Sequence, residues 1–107
     1  MNHRKEIVPV ITMFRANVAA EHASDVEEAV KSLFAVIDRV KPQGVRYSSY
    51  LLDGGGTYII MLELLDEGRN PLTGIPEFLA FQGNLKGWLA EPAVVARLTA
   101  VGEYRSF

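Results

Sequence analysis

The chain predicts an α+β domain of order β-α-β-β-α-β, with two helices on one face of a four-stranded antiparallel sheet. Three observations carry this. Tyr58 to Leu65 is an almost unbroken apolar run, as expected of a strand covered on both faces. Residues 26–40 repeat apolar side chains at helical spacing. Asp53-Gly54-Gly55-Gly56 separates two strand-like runs, which signals a hairpin.

Val8 to Val18 is rich in β-branched and aromatic residues and reads as the first strand, with Pro9 marking a strand end or an edge. Ser24 is a good helix N-cap with Glu27 as its capping-box partner, and Asp25, Glu27 and Glu28 complement the helix dipole. The helix then places Val26, Val30, Leu33, Phe34, Ile37 and Val40 on one stripe. Lys41-Pro42-Gln43-Gly44 stops it.

Val45 to Asp53 and Thr57 to Leu65 are the hairpin strands. A turn at Gly54-Gly55 sets Arg46 opposite Glu63, a favourable cross-strand pair that a one-residue slip would lose. Tyr47, Ser49, Tyr58, Ile60, Leu62 and Leu64 then share the helix-facing side. Ser48, Tyr50, Ile59, Met61 and Glu63 share the other. A second helix is predicted from Pro76 to Leu85 or a little beyond, with Pro76 in its first turn. Val94 to Tyr104 reads as a fourth strand, with a helix up to Leu98 as the alternative.

This order is the ferredoxin-like arrangement. Two helices cover one face, and apolar residues remain on the other. A two-fold homodimer, sheet facing sheet, covers them by self-complementarity.

Composition bounds the function classes. A chain of 107 residues is expected to form one domain over 1–107. With 49% hydrophobic and 22% charged residues it reads as globular rather than disordered. Net charge is −2 and the eleven Lys and Arg are scattered, which argues against a nucleic-acid face. The absence of cysteine excludes disulfides, thiolate metal sites and cysteine nucleophiles. Pro9 and Arg15 interrupt any leader core, and no apolar run approaches the roughly 20 residues of a membrane span. No membrane partner is expected, and a cytoplasmic location is.

Several segments together resemble a known family: Ile11-Thr12-Met13-Phe14, the helix from Asp25 to Val40, Gly44-Val45-Arg46-Tyr47 and Tyr58 to Glu63. They continue in Asn70-Pro71-Leu72, Pro76-Glu77-Phe78-Leu79-Ala80-Phe81-Gln82 and Val101-Gly102-Glu103-Tyr104-Arg105. The chain resembles the antibiotic biosynthesis monooxygenase-like group of the dimeric α+β barrel superfamily. The resemblance implies a dimer with helices outside a two-sheet barrel, and a pocket between helices and sheet in each protomer. Some such proteins oxidise aromatic polyketide or quinol substrates with molecular oxygen and no cofactor. That chemistry needs a dry pocket, an acceptor for a phenolic proton and donors for the anion.

The expected ligand-binding residues are Tyr47, Ser49, Tyr58, Phe78, Phe81 and Gln82, an aromatic wall with a few polar groups. Ser49 and Gln82 are the least natural core choices. The alternative is that all six are core. His22, Trp88 and Gln82 are the catalytic candidates, set against an exposed loop histidine and a packing tryptophan. Two isolated histidines, His3 and His22, make no metal site. Haem-degrading relatives use an axial histidine on the second helix with an Asn-Trp-His set. Asn17 and Trp88 are present, but residues 76–87 contain no histidine, so haem is not expected. Arg15, Arg46, Glu63 and Arg97 form either a polar cluster in the dimer centre or ordinary sheet pairing. Three functions stay open: a cofactor-independent monooxygenase for a small aromatic or polyketide-like substrate, a non-catalytic binder of an apolar ligand, and a structural dimer.

Overall fold

A computed structural model describes residues 8–107; His3 lies outside them. The elements are β1 (Val10–Asn17), a 3-10 turn (Ala20–His22), α1 (Ala23–Val40), β2 (Val45–Leu51) and β3 (Thr57–Leu64). A second 3-10 turn (Pro71–Gly74), α2 (Pro76–Trp88) and β4 (Val94–Leu98) complete them. The strands form one antiparallel sheet in the order β2-β3-β1-β4. This is the ferredoxin-like βαββαβ fold.

The hairpin register is the expected one, with Arg46 opposite Glu63 and Val45 opposite Leu64. Its loop is longer than a two-residue turn. Leu52 N–H donates to the Thr57 carbonyl at 2.8 Å and Gly55 N–H to the Leu52 carbonyl at 2.9 Å, so residues 53–56 form the loop. Gly54, Gly55 and Gly56 all take positive φ (99°, 80° and 83°), which β-carbons would oppose.

Three expectations at element ends are corrected. Ser24 does not cap α1, which begins at Ala23 with no side-chain cap. The 3-10 turn runs directly into the helix, and its backbone takes the capping role: Ala23 N–H donates to the Ala20 carbonyl. The tail is a strand rather than a helix, but it ends at Leu98, where its pairing with β1 ends. The first strand is shorter than Val8 to Val18, and Val18 contributes only an isolated bridge to Leu89.

The core lies between the helices and the sheet. Leu33, Leu62, Leu72, Ile75, Phe78 and Phe81 form one buried cluster. Ala16, Val18, Val26, Tyr58 and Ile60 form a second. Of the α1 stripe, Val26 and Leu33 are buried, while Val40 in the last turn stays exposed. On β3 the alternation is clean: Tyr58, Ile60 and Leu62 are buried under the helices, whereas Ile59, Met61 and Glu63 are half-buried on the other face.

Candidate functional site

Three strands and α2 enclose a small cavity of about 70 Å³. Alternation along β1 and β3 delivers Phe14, Ala16, Ile60 and Leu62 to its floor. The α2 residues Phe78, Phe81, Gln82 and Leu85 sit at spacings of three and four, so one helix face roofs it. Tyr47 reaches in from β2.

Tyr47 is held by aromatic neighbours. Its ring stacks on Phe34 with centroids 5.3 Å apart and planes 7° apart, and it meets Phe78 edge-on at 5.7 Å and 77°. Burial strips water from the phenolate and pushes its pKa up to about 12. At neutral pH the group is therefore a phenol, able to donate a hydrogen bond and unable to take a proton from a substrate. The same side chain walls a shallower groove of about 270 Å³ at the end of α1, shared with Phe34, Pro42 and Leu72. Gln82 is exposed and stands at the cavity rim. Among the described lining residues there is no carboxylate, histidine or amine.

Four of the six expected binding residues thus meet around one cavity: Tyr47, Phe78, Phe81 and Gln82. Ser49 and Tyr58 share the helix-facing side but do not line it. The Ser49 hydroxyl is buried without a hydrogen-bond partner. Tyr58 packs with Ala16 and Val26. Its pKa is raised, first by burial and then by the Glu27 carboxylate, with Lys31 opposing. Phe14, Ala16 and Ala93 also line the cavity and were not anticipated. The even-numbered parity of β1 would have found the first two.

Of the catalytic candidates only Gln82 borders the cavity. His22 Nδ1 lies 2.9 Å from Asp25 Oδ2, and its ring is 6.3 Å from that of Trp88. Trp88 packs against the second core cluster at the end of α2. Asn17 is engaged elsewhere: its Nδ2 donates to Glu91, and its Oδ1 accepts from the Thr57 hydroxyl at 2.8 Å. Of the two arrangements left open for Arg15, Arg46, Glu63 and Arg97, the single chain shows sheet pairing of Arg46 with Glu63 at 3.4 Å, while Arg97 pairs with Glu67 at 2.8 Å. Among the described residues no three His, Asp or Glu side chains gather as a metal site. No described helix is long and apolar enough to cross a membrane.

No protein-family model and no curated protein matches the chain. Solved structures do. Rv0793 from Mycobacterium tuberculosis superposes with a TM-score of 0.73 at 19% identity, over 92% of this chain and 100% of that one. A Caulobacter crescentus protein assigned provisionally as an antibiotic biosynthesis monooxygenase gives 0.70 at 17%, over 88% and 91%. A Nitrosomonas europaea protein with the same provisional assignment gives 0.72 at 12%, over 92% and 96%. Another similar structure from Nitrosomonas europaea is of unknown function. The chain therefore has the ferredoxin-like fold shared by structures described as antibiotic biosynthesis monooxygenases.

Proposed function

We propose that the protein is a homodimer that binds a small apolar or aromatic molecule between α2 and the sheet, with Tyr47 donating a hydrogen bond to it. The carrying observation is one phenol, kept protonated by burial, at the wall of a cavity with otherwise uncharged, mostly apolar lining. Size limits the ligand. A cavity of roughly 150 Å³ takes a benzene molecule, and this one is about 70 Å³. A whole ring does not fit this space as it stands, so binding requires the cavity to widen on the side of the exposed Gln82. The test is calorimetric titration with 1-naphthol, a bicyclic phenol. Saturable binding that weakens in Tyr47→Phe supports the reading, and no heat with 1-naphthol or a panel of similar size removes it.

Oxygenation is the second reading, favoured by the likeness to structures described as monooxygenases. The lining offers a donor and no proton acceptor, so the substrate proton passes to water and the resulting anion reduces oxygen. For an anthrone, one oxygen atom enters the new carbonyl and the other leaves as water, drawing both hydrogens from the oxidised carbon. Tyr47 then stabilises the anion by donation. Oxygen consumption with an anthrone above the buffer rate, reduced in Tyr47→Phe, supports it. A rate equal to buffer leaves the binder alone standing.

Homodimer formation is proposed from the open sheet face, where Tyr50 and Leu52 are exposed and Ile59 and Met61 half-buried. Sedimentation should show a dimer at micromolar concentration, and a stable monomer would remove the assembly.

A further inference from the structure

Of the four α2 side chains that roof the cavity, three have a settled place. Phe78 and Phe81 are buried in the first core cluster, and Gln82 is exposed at the rim. Leu85 is the fourth. It is half-buried and packs against both core clusters.

Leu85 stands on a weakened piece of helix. Gly83 precedes it by two residues and Gly87 follows it by two. Glycine is the poorest helix former after proline, because it surrenders the most backbone freedom on folding. Neither position requires it. Neither takes a positive φ, and a β-carbon at either would meet no neighbouring element within 4 Å. No turn and no close packing offsets the loss of helix stability.

The weakened piece is held only at its ends. Phe81 is buried before it. After it the Trp88 carbonyl accepts from Ala19 N–H at 2.9 Å, Ala90 N–H donates to the Asn17 carbonyl at 2.8 Å, and Leu89 bridges Val18. Between these anchors every residue except Leu85 is exposed. A stretch with one side chain in the core and a glycine on either side of it opens more readily than the rest of its helix.

We infer that Leu85 sets the size of molecule the cavity accepts, and that it withdraws on a segment hinged at Gly83 and Gly87. The inference deepens the binding reading above and rests on it. Outward movement of residues 83–87 lifts Leu85 from the roof beside Gln82, the side on which the cavity must widen. The closed form, at about 70 Å³, excludes a ring, since benzene takes roughly 150 Å³. Binding of an aromatic molecule is therefore gated by the opening of α2.

Stopped-flow fluorescence with 1-naphthol tests it on the native chain, Gly83→Ala/Gly87→Ala and Leu85→Ala. The two alanines should raise the melting temperature, which shows that α2 tolerates them, and slow association about ten-fold or more. Leu85→Ala should associate faster and bind more tightly than the native chain, because truncation enlarges the space. Added to the alanine pair, it should abolish the slowing, which a merely stiffer helix would not do. Native binding at a rate the alanines leave unchanged keeps the ligand reading and overturns the hinge. Rate and affinity unchanged in Leu85→Ala overturn the size limit. Binding by Leu85→Ala alone keeps the size limit and overturns the hinge. No binding by any chain removes the ligand reading and the inference together.

Discussion

Arg46 lies directly across the β2–β3 ladder from Glu63, with Nη1 3.4 Å from Oε2. In the single chain the arginine side chain is 65% exposed and the glutamate 18%. An exposed pair contributes about 0.2–1 kcal/mol and is screened by salt. A dimer covering this face takes the pair out of water. A double-mutant cycle with Arg46→Ala and Glu63→Ala should then return a coupling above about 1 kcal/mol that survives 1 M salt. A smaller coupling that salt abolishes contradicts a covered face.

Tyr47 gives the account a pH signature. Its phenol is raised from 10.0 to about 12 in the folded chain. A raised acid favours the neutral folded form, so its stabilisation is complete below pH 10 and is lost as pH rises from 10 through 12. Two units set an upper limit of roughly 2.7 kcal/mol, and the partial exposure of the ring lowers it. Denaturant midpoints should therefore fall from pH 9.5 to 11.5, and fall less in Tyr47→Phe. An unchanged alkaline slope in that variant contradicts the assignment.

Ser49→Ala should stabilise. Its hydroxyl is buried beneath the helices without a partner, and an unsatisfied group of this kind costs about 1–3 kcal/mol. Removing it should raise the melting temperature by several degrees, at roughly 4–8 °C per kcal/mol for a domain of this size. A lowered melting temperature would show that the hydroxyl has a partner in the assembled protein.

Gly55→Ala should destabilise by about 1–2 kcal/mol, the cost of a left-handed conformation with a β-carbon. Gly55 has φ +80° and open space around its missing side chain, so the penalty is purely conformational. Gly55→Asn should cost less. Equal stability of all three chains would mean that the loop changes shape.

Much of the fold was legible because β3 and α1 carry strong periodic patterns. The parity of Tyr58, Ile60 and Leu62 names the helix-facing side, and one charge pair names the register. Element ends were less legible. Ser24 looks like a cap in isolation, yet the turn at Ala20–His22 displaces it by a tertiary path that spacing does not show. Val101 and Tyr104 have strand propensity but lie past the end of the β1 partner. Side and spacing bring Tyr47, Phe78, Phe81 and Gln82 together around the cavity. Ser49 and Tyr58 share that side but not the cavity, because a β-strand pattern gives a face and not a position under a particular helix. His22 and Trp88 were singled out for residue type, and they meet each other away from the cavity.

The central claim is that an aromatic molecule occupies the cavity beneath α2, and heteronuclear NMR with 1-naphthol tests it most directly. Saturable shifts should centre on Ala16, Leu62, Phe81 and Leu85, and they should weaken about ten-fold in Ala16→Val, whose two added methyl groups occupy the 70 Å³ space. Shifts confined to the open sheet face or to residues 99–107, or shifts unaffected by Ala16→Val, would contradict it.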